Sequence, residues 1–245
     1  MVVKRLAIVA DIHGNHRALQ AILADIAVMK AELIVSLGDN IGYGPEPEEV
    51  VQALRRHQVV SVMGNHELGL ISRSYYSRLQ DAARESLALT RALLSAESLA
   101  WLKNLPTVHI RDDARFVHGC PPESMTVYLF SPTENRLQRV FASYPERFCF
   151  VGHTHVFGLY TEQEGYVVKK KLAVGRVCLD SEHRYLLLPG SVGQPRDTVN
   201  RHAKYMVWDQ AEGWVELRAV TYDVAGTVRL LAERRFPMVN ARRLV

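Results

Sequence analysis

Hydrophobic positions fall into two textures along the chain. In the first half, short apolar runs alternate with longer stretches whose apolar residues recur at helical spacing. Lys4 to Ala10, Leu33 to Ser36 and Val59 to Met63 read as buried strands. Between them, Leu19, Ile22, Leu23 and Ile26 line one face of a helix opened by Asn15 or His16. Glu46 to Arg56 reads as a second helix, with acids at its start and arginines at its end. This β-α-β-α-β order predicts parallel strands joined by right-handed crossovers.

Ile71 to Asn104 reads as helical, with Leu79, Leu87, Leu94, Leu99 and Leu102 among its buried positions, until Pro106 stops it. Strands at Thr107 to Ile110 and Arg115 to Val117 follow, turned by Asp112-Asp113, and then a long loop from Gly119 to Ser131. Ser131-Pro132-Thr133-Glu134 resembles a helix start with proline at the first helical position, predicting a helix to about Tyr144. After the strand Phe148 to Val151 the texture changes to short strands. These are Phe157 to Thr161, Tyr166 to Lys170, Arg176 to Asp180, Tyr185 to Leu188, Tyr205 to Trp208 and Trp214 to Tyr222. Glu164-Gly165 and Glu212-Gly213 supply hairpin turns, and Asp223 is placed to cap a last helix reaching Arg234.

The chemistry sits where the strands end. Asp11-Ile12-His13, Gly38-Asp39-Asn40, Gly64-Asn65-His66-Glu67, His118-Gly119 and Gly152-His153-Thr154-His155 each follow an apolar run. Ligands in open α/β sheets bind outside the carboxyl ends of the strands. Asp11 with His13, and His153 with His155, flank one spacer each, so in extended backbone each pair faces one cavity. The donors are oxygen and imidazole nitrogen with no thiolate, which suits Mn, Fe or Zn better than Ca or Mg. They outnumber what one ion needs, which points to two divalent metal ions. No linker, composition shift or repeat divides the chain, and the motifs come from both halves, so residues 1–245 read as one domain.

Composition narrows the picture. Of 245 residues, 48% are apolar and 23% charged, an ordinary globular profile long enough to bury about 70–75% of its unfolded surface. The net charge of +4 suits an anionic phosphate substrate and lacks the Lys/Arg stripes of a nucleic-acid binder. Cys120, Cys149 and Cys178 are odd in number and scattered, as expected of reduced thiols in the cytoplasm. No apolar run approaches the roughly 20 residues of a membrane helix, and no signal-peptide pattern opens the chain.

The ordered set D-x-H, G-D, G-N-H-E, H, G-H-x-H resembles the calcineurin-like metallophosphoesterase superfamily. Gly38 to Pro45 and Pro189 to Arg196 look like its small single-domain bacterial and archaeal phosphodiesterases. The resemblance implies an α/β four-layer α-β-β-α sandwich, two stacked mixed β-sheets flanked by helices. It implies one metal on Asp11, His13, Asp39 and His155, and a second on Asp39, Asn65, His118 and His153, with Asp39 bridging. Such a pair makes hydroxide available at neutral pH and clamps an in-line phosphoryl displacement. Mn is the first expectation among the metals, and the substrate a small phosphorylated molecule such as a nucleotide. His66, beside Asn65, is the expected catalytic residue, protonating the leaving oxygen or stabilising the transition state. A V-D-R-G continuation after G-D, found in protein Ser/Thr phosphatases and symmetrical diadenosine tetraphosphatases, is replaced here by Asn40-Ile41-Gly42-Tyr43-Gly44, which argues against protein phosphatase activity. The asymmetrical diadenosine tetraphosphatases and a non-catalytic metal-bearing scaffold stand as alternatives. The oligomeric state, a homodimer included, is left open.

Other polar residues read blandly. His16, His57, His109, His183 and His202 are taken as surface or supporting residues, and Glu67 as either a helix start or an orienting group. Tyr43 reads first as a packed loop aromatic and second as a surface for stacking a substrate base, and Arg196 first as a solvated loop arginine and second as a phosphate contact. Arg234, Arg235, Arg242 and Arg243 read as a solvated basic end.

Overall fold

The computed structural model describes residues 4–170, 173–197 and 200–245. Among the described residues, twelve strands form two six-stranded sheets. The first takes β1 (Arg5–Val9), β2 (Leu33–Ser36), β3 (Val60–Ser61), β9 (Gly175–Cys178), β11 (Ala203–Asp209) and β12 (Trp214–Val220), in the order β3-β2-β1-β11-β12-β9. The second takes β4 (Val108–Arg111), β5 (Ala114–Val117), β6 (Phe148–Val151), β7 (Phe157–Gln163), β8 (Tyr166–Lys170) and β10 (Arg184–Pro189), in the order β4-β5-β6-β10-β7-β8. Each sheet has three parallel strands: β1, β2 and β3 form one half of the first, and β5, β6 and β10 lie inside the second. Antiparallel hairpins extend both.

Alternation within β1 shows why the layers stack. Leu6 and Ile8 point between the sheets, meeting Phe116, Phe150, Leu187 and Trp208. Ala7 and Val9 point outward onto Leu19, Ile22 and Ile26 of helix α1 (His16–Met29) and onto α2 (Pro47–Arg56). Both faces of the strand are therefore buried, so its sequence is apolar throughout. On the far side, Val117, Cys149 and Leu186 pack on Leu137 and Phe141 of α7 (Glu134–Phe141). The result is the expected helix–sheet–sheet–helix sandwich.

Three local expectations need correction. The stretch from Ile71 to Asn104 is not one helix. It is the end of α3 (Asn65–Ile71), then α4 (Arg73–Tyr76), α5 (Asp81–Leu93) and α6 (Ala96–Lys103). The breaks come at Ser72 and Ser95, whose hydroxyls accept from the amides of Tyr75 and Ser98, and at the extended Gln80. Proline is not the first residue of α7. Thr133 is its N-cap, accepting from the amide of Arg136, and the helix ends at Phe141 rather than Tyr144. Nor is the basic end simply solvated. After α8 (Val224–Glu233), capped by Asp223 as expected, a short α9 (Met238–Arg242) folds back. Leu231, Phe236, Ala241 and Leu244 pack there with Leu89 and Leu93 of α5.

Candidate metal centre

The carboxyl ends of the two parallel strand sets meet along one seam. Asp11, Asp39 and Asn65 follow β1, β2 and β3, while His118 follows β5 and His153 and His155 follow β6. Glycine-193 and Val192, just after β10, donate to the carbonyls of Asp11 and Ala10 and tie the second sheet to the first. Every expected site residue is buried in this seam: Asp11, His13, Asp39, Asn65, His66, His118, His153 and His155.

The spacer argument for Asp11-x-His13 and His153-x-His155 fails in its mechanism, although the pairs converge. These residues are not extended. Asp11, His13, Asp39, His153 and His155 all have positive φ, from 52° to 65°. A left-handed conformation costs a residue bearing a Cβ about 1 kcal/mol or more and survives where surrounding bonds fix it. Here they do: the amides of Asp11 and His13 donate to the carbonyls of Gly38 and Asp39. Intervening Ile12 turns into the core beside α1.

The four candidate histidine ligands share one arrangement. Nδ1–H of His13, His118 and His155 donates to the carbonyls of Ile41, Leu37 and Gln194 at 3.2, 2.8 and 2.8 Å. His153 is turned the other way, its Nε2–H donating to Thr126 O at 3.3 Å. A carbonyl only accepts, so the second nitrogen of each ring is left with its lone pair. Those lone pairs face each other, His13 Nε2 at 3.0 Å from His155 Nε2, and His118 Nε2 at 3.0 Å from His153 Nδ1. Two acceptors at that distance require a cation or a shared proton between them.

The carboxylates complete the cage. Asp11 Oδ1 accepts from the amide of His153 at 3.1 Å and lies 3.6 Å from His155 Nε2, while its Oδ2 is buried without a partner. Asp39 Oδ1 accepts from the amide of His66 at 2.8 Å. Its Oδ2 lies between the two histidine pairs, 3.7 Å from His13 Nε2 and 3.4 Å from His118 Nε2. Asn65 Oδ1 stands 3.1 Å from His118 Nε2. Donor atoms of Asp11, His13 and His155, and those of Asp39, His118 and His153, are close enough to hold an ion each. Burial lifts Asp11 to about 7, and His118, although burial alone would lower it, is pushed up to about 9 by Asp39 and neighbouring carboxylates. Burial pulls His153 down to about 3 and takes His13 and His155 well below the usual range. A donor set at once crowded, dehydrated and held at mixed charge fits divalent metal ions.

His66 differs from the four. Its ring is near enough to His13 and Asp39 to form a third candidate group, with Nε2 4.0 Å from Asp39 Oδ2. Among the described residues no carbonyl anchors it, and its buried Nδ1 has no partner. Tyr43 meets the ring edge-on at 4.6 Å, and the backbone of Gly42, at φ 131°, lies so close that a Cβ there would collide with the imidazole. Burial lowers its pKa. Glu67 proves to be an orienting group as well as part of a helix start. One carboxylate accepts from the amides of Asp39, Asn40 and Gly64 at 2.9, 2.7 and 2.8 Å. Burial raises it to about 7.

Tyr128 and Tyr75 carried no signal in the sequence, whereas Arg196 and Arg243 were noticed without their places being known. Tyr128, in the long loop, stacks on His153 at 3.6 Å between ring centroids, and burial, with Asp39 adding to it, pushes the Tyr75 hydroxyl up to about 12. Arg196 is half-buried beside His155, whose carbonyl accepts from its amide. Arg243 lies over the Tyr43 ring at 5.5 Å. His16, His57, His109, His183 and His202 stay outside the cluster, as expected.

Residues 5–213 match the calcineurin-like phosphoesterase superfamily domain. The chain belongs to that superfamily. It is 32% identical to an uncharacterized protein of Methanocaldococcus jannaschii over all of this chain and 98% of the relative. The crystal structure of a metallophosphoesterase from Sphaerobacter thermophilus is 33% identical, with a TM-score of 0.86 over 99% of this chain and 98% of that one. A hypothetical protein of Pyrococcus horikoshii shares the fold, with a TM-score of 0.79, 21% identity and coverage of 98% and 97%. This chain also aligns over 65 residues with Escherichia coli serine/threonine-protein phosphatase 2, at 40% identity, covering 26% of the chain and 30% of the relative. The metallophosphoesterase is thus a metal-dependent enzyme, and none of its helices, among the described residues, is long and apolar enough to cross a membrane.

Proposed function

We propose that the chain, acting as a single domain, hydrolyses phosphodiester bonds in small phosphorylated molecules, using two divalent ions and His66. One observation carries the reading: four histidines are locked by backbone carbonyls with their lone pairs turned inward, while His66 alone is left unlocked. Asp11, His13, Asp39 and His155 would hold one ion, and Asp39, Asn65, His118 and His153 the other, with Asp39 serving both. When bound, the ions supply Lewis acidity, acidifying water and drawing charge from phosphoryl oxygens. Mn is the ion proposed first, and the nitrogen–oxygen donor set also accepts Fe or Zn.

The chain's own residues contribute preorganisation. Carbonyl locks keep the ligand rings aimed before substrate arrives, so no reorganisation is needed as charge develops. Glu67 holds the Asp39 and Gly64 loops at a fixed separation. His66, gripped between Tyr43 and Gly42, offers its ring N–H to the leaving oxygen.

The test strips the purified protein with chelator, reloads it with Mn²⁺ and follows hydrolysis of bis-p-nitrophenyl phosphate. Turnover is expected in the reloaded protein and absent from the stripped one. Failure to cleave any phosphomonoester, phosphodiester or polyphosphate with Mn, Fe or Zn would end the reading.

A further inference from the structure

We infer that Arg196 and Arg243 form an anion subsite beside the metal cluster, holding a second phosphoryl group next to the one that is hydrolysed. The inference rests on the proposed phosphoester hydrolysis. Both guanidiniums converge on one neutral atom: Arg196 Nη2 donates to Gln194 Oε1 at 3.1 Å, and Arg243 Nη1 to the same oxygen at 3.3 Å. They stand no farther apart than those two bonds laid end to end. Neither forms an ion pair among the described residues, whereas Arg234 pairs with Glu49 and Arg218 with Asp25. Arg196 also keeps a buried Nε without a partner. Two like charges held together on an amide oxygen repel each other, an arrangement that an incoming anion relieves.

Position gives the anion its class. The backbone carbonyl of Gln194 locks His155, so the side chain that gathers both arginines grows from a residue already fixed to a metal-ligand ring. The charge of Arg196 is felt at Asp11, His13, His66 and His155. Arg243 covers the face of Tyr43, whose ring packs on His13 and His66. The pair therefore flanks the cluster on the Asp11–His155 side, one group away from where a scissile phosphoryl would lie. Guanidinium forks match phosphoryl oxygens bidentately.

Arg243 is held there by a built support. Asn240 donates to the carbonyl of Tyr43 at 2.9 Å and to Ser86 Oγ at 2.9 Å, and Arg234 donates to the carbonyl of Pro45. The superfamily match ends at residue 213, so α8 and α9 carry this arginine to the site from outside the matched domain.

The experiment compares inorganic phosphate with inorganic pyrophosphate by titration calorimetry on the Mn-loaded protein, with Mn content measured before and after. The wild type is expected to bind pyrophosphate at least tenfold tighter than phosphate. Arg243→Ala and Arg196→Ala should each erase most of that margin while phosphate affinity stays within about twofold, and Arg243→Lys should recover part of it. Equal losses for both anions would place the arginines on the hydrolysed group and overturn the proposal, as would an unchanged margin. Binding is read without turnover, so an inactive protein that still prefers pyrophosphate would defeat the hydrolase reading and leave the subsite standing.

Discussion

At the scale of single residues, two glycines divide the labour of the centre and predict separable defects. A methyl at Gly42 would meet the His66 ring, whereas one at Gly64 would meet the backbone and carboxylate of Asp39. Gly42→Ala should keep its metals, by elemental analysis, and lose at least tenfold in kcat as His66 is displaced. Gly64→Ala should lose metal content first. His66→Ala should likewise keep its metals and lose roughly a hundredfold or more in kcat, the usual scale for a removed proton donor. Unchanged turnover in that variant would remove His66 from the chemistry. Protonation adds a test. His118 holds its proton up to about 9 without metal, so loading at pH 7 must expel it. A raised pKa means that this proton stabilises the metal-free fold fully below the ordinary histidine value of about 6.5 and ceases to do so as pH rises through about 9. Calorimetric Mn²⁺ titrations in buffers of different ionisation enthalpy should show proton release, with apparent affinity rising between pH 6.5 and 9.

At the scale of elements, what the sequence disclosed depended on how local the cause was. Asp11, His13, Asp39, Asn65, His118, His153 and His155 could be found because they follow five strands, β1, β2, β3, β5 and β6, whose ends gather at one seam. The left-handed turns that aim them were hidden, since they depend on bonds to Gly38, Asp39 and other carbonyls elsewhere in the chain. The breaks at Ser72 and Ser95 were missed for the opposite reason. A serine accepting from an amide three residues on competes with helix so locally that apolar periodicity runs past it. Arg243 was read as solvated because its partners, Tyr43 and Gln194, are remote in sequence. The element that delivers it has a core of its own, which can be tested. Phe236, only 3% exposed, packs with Leu231 and Leu244, and Phe236→Ala should cost about 3 kcal/mol in denaturant unfolding. Pyrophosphate affinity should fall with it.

At the scale of the whole molecule, the candidate ligands are drawn from both sheets: Asp11, His13, Asp39 and Asn65 from one, His118, His153 and His155 from the other. Metal at a hundred times its dissociation constant adds about 2.7 kcal/mol per site, and domains of this size shift by about 2–4 °C per kcal/mol. With two sites, chelation should therefore lower the melting temperature by roughly 10–20 °C. An unchanged value would mean that the folded protein does not bind the ions in preference to the unfolded chain. Fastening the two sheets at one rim has a further result. Without its clasp the sandwich should gape there first, while the interior around Phe116, Phe150 and Trp208 stays shut. A protease added to chelated protein would then nick the connections around Tyr43, Tyr128 and Arg196 well before it reached any strand, and shortage of metal would show as cleaved chains rather than as intact, idle enzyme.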